Sequence, residues 1–254
     1  MDRDKSEWLI VPLILVVILV AQAVAQDEPE EKLSLFQRLS RLALGPADAP
    51  LDKPYEPKGE LKQVDISEKV NKKLSDGTNR VEGNTLKSLP KGKKELVGVT
   101  FNIIDGVIQL ASEDRPQWPE KIEGIPVDSR FARLYVFHAT QTGPTGVKDK
   151  TLIGRYVVHY EDDTQETIPI VYGEDVRDWW NTDGSKKLKR GKVAWVGTNA
   201  AAKQHNVTLR LFVSKWDNPK PDTKVTTIDY VSEVVGEAGP FCISMTMERA
   251  NRKD

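Results

Sequence analysis

Leu152–Tyr172, LIGRYVVHYEDDTQETIPIVY, decides the fold class. Leu152–Tyr160 and Thr164–Tyr172 read as two strands joined across Glu161-Asp162-Asp163, a hairpin. In the second run Ile168, Ile170 and Tyr172 alternate with Pro169 and Val171. The texture repeats outward. Phe131–His138 alternates strongly, with Phe131, Arg133, Tyr135 and Phe137 on one face and Ala132, Leu134, Val136 and His138 on the other. Leu61–Ile66, Lys192–Gly197, Val207–Lys215, Lys224–Val235 and Phe241–Glu248 read as further strands. Glu95–Ile104 and Val107–Ala111 read as another hairpin across Asp105-Gly106. About ten short strands with almost no long helical pattern predict an all-β antiparallel sandwich over residues 60–249, ahead of a tail at 250–254.

The N-terminal part reads differently. Trp8–Val20 is uncharged and is followed by Ala21-Gln22-Ala23-Val24-Ala25. It is shorter than the roughly 20 apolar residues of a spanning helix. Small residues at 23 and 25 fit a cleavage site, so residues 1–25 read as a signal peptide. The weakly charged start MDRDKSE keeps a membrane anchor through residues 8–25 as the alternative. Either reading places the protein in the periplasm or outside the cell. Leu33–Leu44, with Leu33, Phe36, Leu39 and Ala43 at helical steps, predicts a short amphipathic helix ended by Gly45-Pro46. Pro46, Pro50, Pro54 and Pro57 predict a stiff linker up to residue 59.

Totals narrow the function classes. The chain has 254 residues, 39% hydrophobic and 30% charged, with a net charge of -1. Its balanced charge offers no global field for nucleic acid. A single cysteine, Cys242, allows no internal disulfide. Three dispersed histidines give no metal-binding spacing, and no phosphate-binding glycine loop or nucleophile motif is present. No cofactor, metal or catalytic residue is therefore expected. Asp175, Asp178 and Asp217 supply carboxylates for glycoside hydrolysis only in the abstract. His138, on a face with Leu134 and Val136, reads as a core histidine, and His159 reads the same way.

The candidate site follows the hairpin. After Gly173 come Glu174, Asp175, Arg177 and Asp178, then Trp179 and Trp180 before the turn Asn181-Thr182-Asp183-Gly184. Trp216 precedes Asp217-Asn218-Pro219, another turn signal. If the two strand ends meet, Trp179, Trp180 and Trp216 offer stacking faces. Asp175, Arg177, Asp217 and Asn218 then hydrogen-bond hydroxyls, as sugar-binding rims do. The competing reading makes Arg177 and Asp178 an internal ion pair that fastens the loop over both rings. Lys186–Lys192, KKLKRGK, fits an acidic polysaccharide or phosphate, or simply a solvated hairpin tip.

Five strings carry a family likeness: GVTFNIIDGVIQL, PEKIEGIPVDSRFARLYVFHAT, YVVHYEDDTQETIPIVYGEDVRDWW, VAWVGTN and LFVSKWDNPKPDTKVTTIDYVS. Together they resemble a module of secreted and multidomain proteins of planctomycete-type bacteria. It resembles the galactose-binding-like jelly rolls, a class that includes carbohydrate-binding modules. The resemblance implies a jelly-roll sandwich and a non-catalytic binding role. Its expected partner is a carbohydrate or cell-envelope polymer, with a protein partner or a plain scaffold as the alternative.

Overall fold

The computed structural model describes residues 52–77, 81–142, 146–182 and 186–250. The expected signal peptide or anchor, the helix at 33–44, most of the linker and the tail beyond Ala250 lie outside them. Among the described residues no helix is long and apolar enough to cross a membrane.

Among the described residues, twelve strands form three antiparallel sheets. The largest contains β1 (Leu61–Val64), β12 (Gly239–Glu248), β6 (Arg133–Gln141), β10 (Leu209–Asp217) and β9 (Lys192–Gly197) in that order. The short β4 (Ile108–Gln109) also pairs with β12. A second sheet runs β5 (Lys121–Ser129), β11 (Val225–Ser232), β7 (Leu152–Tyr160), β8 (Gln165–Val171). The third is the hairpin β2 (Gly92–Leu96) and β3 (Val99–Ile103). A five-residue helix, α1 (Ala200–Gln204), follows β9 and is capped by the Asn199 side chain, which accepts from Ala202 N.

Alternation sets the layers. In β6 the even residues face the second sheet: His138 meets Tyr156 of β7, which stacks on Tyr230 of β11 with centroids 4.6 Å apart. The odd residues face the β2–β3 hairpin, where Phe137 meets Phe101 at 5.6 Å. Ser244 and Thr246 of β12 donate to the carbonyls of Asn102 and Thr100, fastening the hairpin. Strands buried on both faces explain why β12 has no exposed residue. The central strands are thus sandwiched, with the core running through both interfaces.

Three expectations change. The expected hairpin across Asp105-Gly106 does not form; β3 turns back on β2 through Val97-Gly98, while Ile108 and Gln109 join β12. Both turn residues have positive φ, 44° at Val97 and 80° at Gly98. A β-branched residue in that region is rare, so the sequence carries no ordinary turn signal there. The strap at 52–59 fixes the turn: Tyr55 N donates to Val97 O, and a Cβ on Gly98 would lie 2.2 Å from Tyr55 O. Second, this end of the expected linker is part of the domain. Tyr55 tilts against Tyr135 at 5.3 Å and donates to Val213 O. Third, His159 is not core; it stands on the outer face of β7, 3.1 Å from Asp229. His138 is core as expected, 2% exposed.

Candidate functional site

Beyond His138–Phe212, strands β6 and β10 separate, and residues 178–180 enter between them. Trp179 N donates to Thr140 O at 2.9 Å, and Arg210 N donates to Trp179 O at 2.8 Å. Isolated bridges join Asp178 to Thr140 and Trp180 to Leu209. The tryptophan pair therefore acts as a short inserted strand, and its backbone groups are spent on its neighbours.

Its side chains are engaged as well. Trp179 is 3% exposed and meets Phe241 edge-on at 6.2 Å. Trp180 is half-buried; its indole N–H donates to Asn84 Oδ1 at 3.0 Å, and its ring lies 5.3 Å from that of His205. Asp178 accepts from Thr142 Oγ1 at 2.8 Å and from Trp180 N at 3.3 Å. Burial raises its pKa to about 6, against the pull of those donors and of Arg210.

The preceding turn is a knot of ion pairs. Gly173, at φ 81°, lets its N–H reach Val176 O. Asp175 accepts from Val171 N and from both Nε and Nη2 of Arg190, at 2.9 and 2.6 Å. Arg190 also reaches Glu174 at 2.9 Å. Arg177 donates from two nitrogens to the two oxygens of Asp149, each at 2.9 Å, with its guanidinium 5.6 Å above Tyr172. The fastening ion pair anticipated between Arg177 and Asp178 is thus replaced by Arg177–Asp149. Asp149 rests against Gly173, where a Cβ would meet its carboxyl at 2.8 Å. Paired bidentate geometry of this kind fixes orientation as well as charge.

The other candidates lie elsewhere. Trp180 is opposite Leu209 at the start of β10, and Trp216 is near its end, roughly 23 Å away at strand rise. Trp216 is half-buried and packs on Phe131 at 6.4 Å. Asp217 is exposed and pairs with Arg133 and Lys215, each at 2.9 Å. Asn218 accepts from Tyr160 OH at 2.6 Å and donates to Phe131 O at 2.9 Å. Trp180 and the Trp216–Asn218 group therefore lie at opposite ends of β10, so the seven candidates do not form one rim. Asp217 is likewise beyond the roughly 5–10 Å over which two carboxylates share glycosidic work with Asp178.

The sequence missed Asp149 and Arg190, because only the fold brings them to the turn. Arg190 and Lys192 were hidden in the basic run. Lys192 Nζ lies 3.9 Å above the Tyr55 ring, so this run is not merely a solvated tip. A mixed-charge cleft of about 590 Å³ opens at the Trp216 end beside Arg130, Asp128, Lys224 and Arg249. Its charges are internally matched: Arg249 with Glu60 at 2.8 Å and Lys224 with Asp128 at 3.5 Å. Among the described residues, no group of three His, Cys, Asp or Glu could hold a metal ion.

Comparison with family models, with curated proteins and with solved structures finds no match to this chain.

Proposed function

We propose that this protein is a non-catalytic interaction domain, exported to the periplasm or beyond, in which the Tyr172–Asn181 loop is a structural clamp. Its two facing antiparallel sheets are in keeping with a galactose-binding-like jelly roll. One observation carries the reading. Asp175, Arg177 and Asp178 are each at most 9% exposed and each is held by another part of the chain, while Trp179 lies beneath them in the core. Groups so committed orient a loop rather than a ligand, since freeing them to bind would break ion pairs and uncover apolar surface. The domain then offers a rigid surface to a large partner rather than a pocket to a small one.

The test sets neutral glycans against stability. On a neutral-glycan array, the full chain should give no signal above background. Trp180→Ala should lower the melting temperature by several degrees, through loss of packing and of the Asn84 hydrogen bond. Binding of a neutral oligosaccharide, abolished by Trp180→Ala or Trp216→Ala with the melting temperature unchanged, would overturn the clamp and restore a sugar site.

A further inference from the structure

Two loops meet on the clamp. Lys150 N donates to Tyr172 O, and the amides of Arg190 and Gly191 both donate to Glu174 O, so residues 148–150 and 186–191 flank the same turn. Two of the three described carboxylates here lie deeper than the lysines. The side chains of Glu174 and Asp175 are 15% and 7% exposed, drawn inward against Arg190. Lys148, Lys150, Lys186, Lys187 and Lys189 are exposed. Lys189 reaches Glu174 only at 3.5 Å, and its side chain is 74% exposed. The other four lysines have no ion pair among the described residues. Asp149 is matched by Arg177 and sits in the field of Lys186. Glu174 and Asp175 are therefore used from below, and Asp149, though its side chain is 55% exposed, is matched by Arg177, so the lysines leave the outer surface with an excess of positive charge on a chain whose net charge is -1.

We propose that this corner, made of Lys148, Lys150, Lys186, Lys187 and Lys189, is a docking surface for an acidic polysaccharide carrying regularly spaced carboxylates. Long amines on two loops over a rigid turn suit a flexible linear polyanion, because each lysine can follow its own carboxylate without the fixed geometry a compact anion demands. Attraction comes chiefly from release of the polymer's counterions, so it is sequence-tolerant and falls steeply with salt. The five lysines cover two loops rather than a pocket, which favours several weak contacts along a chain.

This inference rests on the interaction-domain reading, but the two fail separately. The probe is polygalacturonate, titrated into the full chain at 50 and 200 mM salt. Neutral dextran and phosphatidylglycerol vesicles serve as comparison ligands. Four or five engaged cations should weaken binding by about 50-fold or more between those salt concentrations. The triple variant Lys186→Glu/Lys187→Glu/Lys189→Glu should lose at least tenfold at 50 mM salt with its melting temperature kept within a few degrees. A second triple, Lys91→Glu/Lys93→Glu/Lys94→Glu, alters the net charge equally at the β2 edge and should bind nearly as wild type. The proposal is overturned if the wild type fails to bind polygalacturonate at 50 mM salt. It is also overturned if both triples lose affinity alike, or if vesicles bind and polygalacturonate does not. Binding of neutral glycan at Trp180 would instead strike the clamp and leave this surface to be judged on its own titration.

Discussion

Glu248→Ala should destabilise the protein by about 3–5 kcal/mol, the scale set by breaking a buried ionic network from one side. Glu248 ends β12 and is 1% exposed. Its carboxylate accepts from Tyr135 OH at 2.7 Å, Arg133 Nη1 at 2.8 Å, and the amides of Lys58 and Gly59 at 2.7 and 3.0 Å. Burial works against its ionised form, but these donors outweigh burial and hold its pKa below the ordinary glutamate value. Removing it leaves Arg133 with Asp217 alone, strands a buried phenol and two backbone donors, and releases the strap at 52–59 from the sheet. Urea unfolding of the full chain measures the loss. Glu248→Gln keeps an acceptor and most of the volume, so it should lose clearly less. Equal stability of wild type and Glu248→Ala would show that the strap and the sheet are not joined there.

His138→Gln and Asp178→Asn should tilt the stability of the protein with pH in opposite directions. Both groups are buried. His138 Nε2 lies 2.5 Å from Ser214 Oγ and its Nδ1 3.2 Å from Tyr156 OH. Burial depresses its pKa to about 4, partly offset by Asp175, so the folded protein keeps the ring neutral. The stability this represents is present above the unfolded value of 6.5 and is lost as pH falls toward 4. Asp178 is the reverse case. Its folded pKa of about 6 exceeds the ordinary 3.8, so its stability is present below 3.8 and is lost as pH rises through 6. Each shift corresponds to about 3 kcal/mol. The two nearly cancel between pH 4 and 6. Asp178→Asn leaves the histidine slope exposed, and that variant should become acid-labile by about 3 kcal/mol over this interval relative to wild type. His138→Gln should become more stable on acidification by a similar amount. Denaturant titrations at half-unit steps read both differences directly. Slopes identical to wild type would contradict the burial of these groups in neutral form.

Strands were legible where burial was one-sided or complete. Leu152–Tyr160 and Lys192–Gly197 match their strands end to end, because apolar alternation or a continuous apolar run leaves little choice of register. Lys121–Ser129 is not legible as a strand in the sequence. Pro126, two carboxylates and a glycine mask an alternation whose buried members are Ile125, Val127 and Ser129. Gly124 there turns to φ 64° and donates its N–H to Asp229. The turn at Val97-Gly98 was hidden for a different reason, since a contact from the distant Tyr55 enforces it.

The candidate site was legible as a cluster but not in its use. Gly173, Asp175, Arg177 and the tryptophans do stand out in sequence, and they do mark a special loop. Their roles depend on Asp149, Thr142 and Arg190, whose side chains approach only after β6, β8 and β9 are assembled. An aromatic-rich, charged loop looks alike whether it faces a ligand or is locked inward. The difference lies in which partner each charge has, and long-range pairing of that kind leaves no local trace.

Native-state hydrogen exchange on the full chain tests most directly whether residues 171–181 form a clamp. The amides of Val171, Gly173, Asp175, Trp179 and Asn181 donate to Asp175 Oδ2, Val176 O, Val171 O, Thr140 O and Thr208 O. In a clamp they open only with the sheets they join, so their protection should come within about 1–2 kcal/mol of the amides of β12. Exchange of these five amides in seconds, while β12 remains protected, would show a loop that opens on its own and would contradict the account.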